Sequence, residues 1–218
     1  MDRALVIGGS GGIGSALVAE LDCRGVAVTA LSRQDGIDIT DEASVARALA
    51  AVEDDMDLVL VATGALTDTR PSPEKSLSDL AEAEFMAQMR LNALGPALVL
   101  KHWRGRIPRK GRFVFAALSA RVGSIGDNGL GGWYSYRTSK AALNSLIHGA
   151  AVEIGRTRAE AILACLHPGT VATTFTDGYD HDKVSPDTAA CRLIDVIEGL
   201  TPAQSGGFFD YAAREIPW

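Results

Sequence analysis

The sequence predicts an α/β protein: a doubly wound parallel sheet flanked by helices, as a single domain over residues 1–218. Three observations carry this. Apolar runs of strand length alternate with longer amphipathic segments. Five glycines crowd behind the first such run, in "LVIGGSGGIGSAL". The run "DLVLVAT" (57–63) is almost wholly apolar and rich in Val, as a strand covered on both faces must be. Alternation of this kind implies crossovers of right hand.

The elements follow in order. "ALVIG" (4–8) is a buried strand and 12–24 a helix leaving the glycines. "VAVTAL" (26–31) is a second strand, and "GIDIT" (36–40) a short extended piece ahead of a helix over 41–53, with Asp41 as its N-cap. After the strand at 57–63 comes a loop holding Pro71 and Pro73, then a long helix over 77–103. "RFVFAAL" (112–118) is the next strand, followed by a glycine-rich loop (123–132) and a helix over 133–155. "AILACLH" (161–167) is a strand broken by Pro168-Gly169, and a helix over 186–199 and "GGFFDY" (206–211) close the pattern.

Composition narrows the function classes. At 47% hydrophobic and 22% charged residues this is an ordinary globular chain, and a net charge of −6 argues against nucleic acid or an anionic membrane as partner. The basic run "RGRIPRKGR" (104–112) precedes a strand and reads as a helix end, where cations suit the helix dipole. Cys23, Cys165 and Cys191 are scattered and lack metal-ligand spacing, which fits a reducing compartment. With no leader-like start and no apolar run near the roughly 20 residues of a membrane span, a cytoplasmic address is expected.

The glycine turn suits a Rossmann-type sheet, because backbone N–H groups at a helix N-terminus can approach a pyrophosphate there. Gly9, Gly11 and Gly14 fit one dinucleotide spacing; Gly8, Gly12 and Gly14 fit a variant of it, with Ser10, Gly11 and Ile13 between them. At the end of the second strand stand Ser32 and Arg33, where an acid would select NAD(H). Arg33 favours NADP(H), although it is also an ordinary residue for a strand end. Farther on, "WYSYRTSK" places Tyr136 four residues before Lys140, on one helical face. Alone, that pair is equally an aromatic beside a solvated charge.

Taken together, the variant glycine turn, Tyr-x-x-x-Lys and the stretches "SARVGSI", "GGWYSYRTSKAALN" and "REIPW" resemble the short-chain dehydrogenase/reductase family, closest to its bacterial C-factor-like branch. The resemblance implies that Gly8, Gly12 and Gly14 form the cofactor turn. It implies further that Asp38 and Ile39, in "DIT", meet the adenine, and that Gly64 follows the third long strand at the nucleotide. Pro168, Gly169, Val171 and Thr173, in "HPGTVAT", would line the nicotinamide. Asn92, Tyr136 and Lys140 would belong to a catalytic Asn-Ser-Tyr-Lys set, and the helices at 77–103 and 133–155 would pair subunits into a homodimer or homotetramer.

Two departures from the family pattern stand out. The usual Asn-Asn-Ala-Gly reads Val61-Ala62-Thr63-Gly64, and the position of the catalytic serine, counted from Gly123, is Ala120, with Ser119 one place early. One residue along a strand turns a side chain to the other face; a bend at the strand end would let Ser119 serve, with Ser124 a weaker candidate.

The expected chemistry is interconversion of a small carbonyl compound and its alcohol by hydride transfer to or from NADP(H). Tyr136 is the acid/base, its pKa lowered by Lys140, and Ser119 binds the carbonyl oxygen. The alternative is a nucleotide-binding signalling or regulatory protein with little turnover. Trp133, Phe175, Tyr179 and His181 are candidate pocket contacts, each also readable as packing or surface; no metal site is expected.

Overall fold

The computed structural model describes residues 1–53, 55–176, 180 and 182–218. Its strands are β1 (Arg3–Ile7), β2 (Ala27–Leu31), β3 (Leu58–Val61), β4 (Phe113–Leu118), β5 (Ala161–His167) and β6 (Phe208–Asp210). All pair in parallel in the order β2-β1-β3-β4-β5-β6. The helices are α1 (Gly12–Cys23), α2 (Glu42–Ala50), α3 (Glu82–Gln88), α4 (Gly95–Trp103), α5 (Tyr134–Gly155) and α6 (Pro186–Gly199). Among the described residues no helix is long and apolar enough to cross a membrane.

Alternation along the strands splits the core in two. Phe113, Phe115 and Ala117 of β4 and Leu163 and Cys165 of β5 pack with α2, α4 and α5. Val114, Ala116, Ile162 and Ala164 pack on the other face with Leu17 and Leu21 of α1 and Leu193 and Ile194 of α6. Because β3, β4 and most of β5 are buried on both faces, their sequence shows no polar alternation.

Three expectations are corrected. Residues 36–40 form no strand: turns at Gly36 and at Ile39–Thr40 flank Ile37 and Asp38, and Ile37 and Ile39 are buried in the core. The helix expected over 77–103 begins at Glu82, preceded by a separate turn at Leu77–Asp79, and is π-helical over Met89–Leu94, where the Gly95 N–H bonds to the Arg90 carbonyl five residues back. Pro96 has no N–H and its ring crowds the preceding turn, and a widened turn absorbs both effects. The third correction concerns handedness. α5 and α6 lie on opposite faces although each carries the chain one strand further in the same direction. The β5–α6–β6 crossover is therefore opposite in hand to the other crossovers. The 18 residues between His167 and Pro186 give the chain length enough to change faces.

Asp41 caps α2 as expected, accepting from Ala43 N and Ser44 N. The basic run after α4 is a helix end: Arg106 donates to the carbonyls of Leu49 and Val52 and stacks 4.8 Å from Trp103.

Polar groups brace the loop after β3. Buried Glu84 accepts from the N–H groups of Asp68 and Thr69, the Thr69 hydroxyl and Gln88 Nε2. Burial works to raise its pKa, but the donors at Thr69, Asp68 and Gln88 outweigh it and hold the carboxyl below its ordinary value. Glu84→Ala strands those N–H groups and should cost about 2–4 kcal/mol of stability at neutral pH by denaturant titration. Because the folded pKa is depressed, this contribution is present above the unfolded value and fades as pH falls through the folded one, so the gap between variant and wild type should close in acid.

Candidate active site

The glycine turn lies where the strand order reverses, between β1 and β3. Gly8 has φ +92°, and Gly11 N–H bonds back to its carbonyl at 3.0 Å. A Cβ on Gly14 would stand 2.0 Å from Gly8 O, and one on Gly12 would stand 2.7 Å from Thr173 Cγ2. Backbone alone fits here, leaving the N-terminus of α1 open to an anion, with Ser10 exposed and Ile13 half-buried at its mouth. Beside Gly8, the Thr63 hydroxyl is shielded from solvent and has no hydrogen-bond partner among the described residues. A cradle that side chains would fill and an orphaned hydroxyl at its edge both fit a nucleotide.

At the adenosine end, Ser32 caps a short turn over Arg33–Asp35. Its hydroxyl accepts from Gln34 N and donates to Asp35 Oδ2 at 2.7 Å. That leaves exposed Arg33 as the cation at the position where a 2′-phosphate would lie. Asp38 accepts from the Thr40 hydroxyl and N–H, bonds that hold its pKa down with some help from Arg33. Ile39 is buried behind it, against Gly95, whose Cβ would reach Ile39 Cγ1 at 2.8 Å.

Tyr136 and Lys140 share the inward face of α5, at 6% and 3% exposure, with Lys140 Nζ 5.8 Å from the phenol ring centre. The ammonium donates to the Leu118 carbonyl at 2.8 Å at the end of β4. Two glycines let it in: a Cβ on Gly64 would lie 3.3 Å from Lys140 Nζ, and one on Gly123 would lie 2.8 Å from Lys140 Cβ. Burial pushes the Lys140 pKa down to about 8. Asn92, in the π segment, grips Ala65 through both the Ala65 N–H and the Ala65 carbonyl, and donates to Gln88 and to Ser139, which in turn donates to the Tyr136 carbonyl. Asn92 and Lys140 therefore both lie against Gly64.

Ser119 continues the alternation of β4 and lies on the α5 side; it is buried and its hydroxyl donates to Asn144 Oδ1 at 2.7 Å. Ser124 is buried too and accepts from Asp127 N. Trp133 and Phe175 flank Tyr136, with ring centres 6.3 and 5.8 Å away. Tyr179 and His181 lie outside the described residues. Pro168, Gly169 and Val171 lead from β5 to Thr173, which closes on Gly12.

Sequence reading missed Gln88, Ser139 and Asn144, and also Glu74. The buried Glu74 carboxylate takes the Ser135 hydroxyl, and its carbonyl takes Trp133 N–H, at the start of α5. A polar series at spacing four within an apolar helix, Glu84-Gln88-Asn92, was the available signal.

Comparison with known proteins agrees with this geometry. A family model described as enoyl-(acyl carrier protein) reductase matches residues 16–193. The chain belongs to the short-chain dehydrogenase/reductase family. It is 29% identical over 239 residues, spanning both chains completely, to 1-hydroxy-2-glutathionyl-2-methyl-3-butene dehydrogenase of a Rhodococcus species. It is 35% identical over 144 residues to the C-signal of Myxococcus xanthus, covering 66% of this chain and 84% of that one. Among solved structures, a short-chain dehydrogenase/reductase from Burkholderia multivorans with bound NADP superposes with a TM-score of 0.81 at 27% identity, over 100% of this chain and 99% of that one.

In this member of the short-chain dehydrogenase/reductase family the buried ammonium has a thermodynamic signature. The folded pKa of Lys140 lies below the unfolded value, so between about 8 and 10.5 the unfolded chain binds more protons and stability rises with pH. Measured by denaturant titration against Lys140→Met, which has no such group, the wild type should gain up to about 3 kcal/mol across that window.

Proposed function

We propose that this protein is an NADP(H)-dependent oxidoreductase that interconverts a small carbonyl compound and its alcohol, with Tyr136 as acid/base. The observation that carries the reading is the buried Tyr136–Lys140 pair, closed over by Gly64 and flanked by Trp133 and Phe175. Gly8, Ser10, Gly11, Gly12, Ile13 and Gly14 would hold the pyrophosphate, Arg33 the 2′-phosphate, and Asp38 and Ile39 the adenine. Gly64, Pro168, Gly169, Val171 and Thr173 would surround the nicotinamide ribose and ring. When bound, that ring supplies or takes the hydride at the carbonyl carbon.

The protein's own part is to orient the substrate and move a proton. A free phenol at a pKa of about 10 exchanges protons poorly near neutrality; a cation one turn away favours the phenolate and lowers it. Lys140 is that cation. Its ammonium is fixed by the Leu118 carbonyl, so the field at Tyr136 does not wander. Asn92 braces the loop at Ala65 and, through Ser139, the turn that carries Tyr136. Ser119 is the hydroxyl on this face for the carbonyl oxygen. Turning over the Asn144 amide, whose Nδ2 is buried without a partner, would let that nitrogen donate to Ser119 and free the serine proton.

A second reading, a nucleotide-binding regulatory protein with little turnover, draws on two observations: the Ser119 proton points away to Asn144, and Ala120 holds the next position. The similarity to the C-signal points the same way. Exposed Met86, Leu94 and Leu146, on the helices expected to pair across subunits, support a homodimer or homotetramer as part of either reading.

Mixing the protein with NADPH and a panel of aldehydes, ketones and quinones should give steady NADPH oxidation. Tyr136→Phe should abolish it, by at least about a thousandfold, with NADPH affinity nearly unchanged. Nucleotide binding without turnover across the panel would favour the regulatory reading. Arg33→Ala should weaken NADPH binding about tenfold or more while leaving NADH binding within about twofold, by fluorescence titration.

A further inference from the structure

Beyond the ends of β5 and β6 a cavity of about 340 Å³ opens between the 168–185 connection, α6 and the chain after β6. Arg121, Arg192 and Arg214 reach it from three separate parts of the chain, together with His167, Asp210 and Tyr211. Asp210 is wholly buried and saturated. It accepts from Ala212 N, Arg214 N and Arg214 Nε, and Arg121 Nη2 stands 3.5 Å from it. One carboxylate thus serves two guanidinium groups.

The third guanidinium is different. Arg192 lies 5.3 Å over the Tyr211 ring, and among the described residues it has no carboxylate partner. Stacking fixes its plane and leaves its N–H edge for a ligand. Among the described residues, His167 Nδ1, shielded from solvent, also lacks a hydrogen-bond partner. Burial first, and Arg121 second, push the His167 pKa down to about 4, so at neutral pH the ring is uncharged and adds no cation. Arg121 also pairs with Asp127 at 2.9 Å and Arg214 pairs with Asp210, so among the described residues Arg192 is the guanidinium of the wall left without a carboxylate partner, exposed Asp182 being the remaining acid there. A carboxylate on a ligand would supply that partner.

The cavity also adjoins the candidate active site. Gly169 forms part of its wall, and the Tyr211 ring lies against Gly169, where a Cβ would sit 3.0 Å from Tyr211 Cδ1. Arg121 follows Ser119 by two residues. We propose that this cavity holds a carboxylate of the substrate, so that the substrates are carbonyl compounds that also carry a carboxylate group, with Arg192 as the residue that selects them. The substrate role rests on the oxidoreductase reading above; the carboxylate site itself does not.

Titration calorimetry of para-formylbenzoate and of its methyl ester reads the cavity without turnover. The acid should bind the wild type at least about tenfold more tightly than the ester, as expected of a charge-assisted pair. Arg192→Met should erase that difference with ester binding unchanged, and Arg192→Lys should restore part of it. Equal binding of acid and ester, binding of neither, or a preference that survives in Arg192→Met would overturn the assignment. NADPH oxidation with the same two compounds separates the two claims. Acid-selective binding with no turnover of the acid would remove the substrate role while the carboxylate site stands, and turnover across the wider panel would then decide the oxidoreductase reading separately. Turnover of both compounds with equal kcat/KM would remove the carboxylate site.

Discussion

An ammonium group held out of water at the end of β4 is the constraint around which the site is assembled. Lys140 is 3% exposed, and burying a cation costs several kcal/mol unless polar partners replace its hydration. The Leu118 carbonyl is one such partner, available because β4 ends there and its last carbonyl points past the sheet toward α5. Approach this close needs bare backbone on both sides, which explains Gly64 and Gly123 better than any turn requirement does. Beneath it lies Cys165, whose thiol burial pushes up to about 12; it stays protonated and does not neutralise the ammonium. The ammonium stays charged 5.8 Å from the Tyr136 ring centre.

The second requirement is stiffness. From Thr69 a chain of buried polar contacts runs through Glu84, Gln88 and Asn92 to Ser139 and the Tyr136 carbonyl. Three of these residues sit on one helix at spacing four, crossing from α3 into the π segment. The widened turn before Gly95 and Pro96 occurs where Asn92 must reach Ala65 and Ser139 at once. A regular α-helix with Pro96 in it would clash at that same place, so the defect in the helix and the polar bridge are accommodated by one distortion.

How much of this was legible follows the same physics. β1, β3, β4 and β5 were visible in the sequence because each buries a run of apolar residues, β2 showed as an apolar run although none of its residues is buried, and Asp41 announced its helix because a cap is a local interaction. Tyr136, Lys140 and the glycine register were legible as motifs, and Asn92 through its "LNALGP" setting. The start of α3 was missed by five residues because Leu77–Asp79 makes its own capped turn with Ser76, a helix-like signal that ends after three residues. Ile37 and Ile39 looked extended because alternation of two isoleucines mimics a strand, whereas the structure buries both without forming one. Glu74 and Asn144 gave no signal, since their partners Ser135 and Ser119 lie 61 and 25 residues away and only the folded chain brings them together.

The crossover of unexpected hand links the fold to the site. Had the chain left β5 and packed its helix on the α5 face, it would have run back beside α5 and left the sheet ends bare. It crosses to the α1 face instead, and in doing so must pass over the ends of the strands. That passage lays Thr173 on Gly12 of the nucleotide cradle and Phe175 against Tyr136. One segment therefore touches both halves of the candidate site, the glycine turn at the start of α1 and the Tyr136 face of α5. Val171 and Val184 pair as an isolated parallel bridge that ties together the two described ends of the segment. A ligand that ordered Thr173 would act on the position of Phe175 two residues on, which gives the two half-sites a direct mechanical connection through the backbone they share.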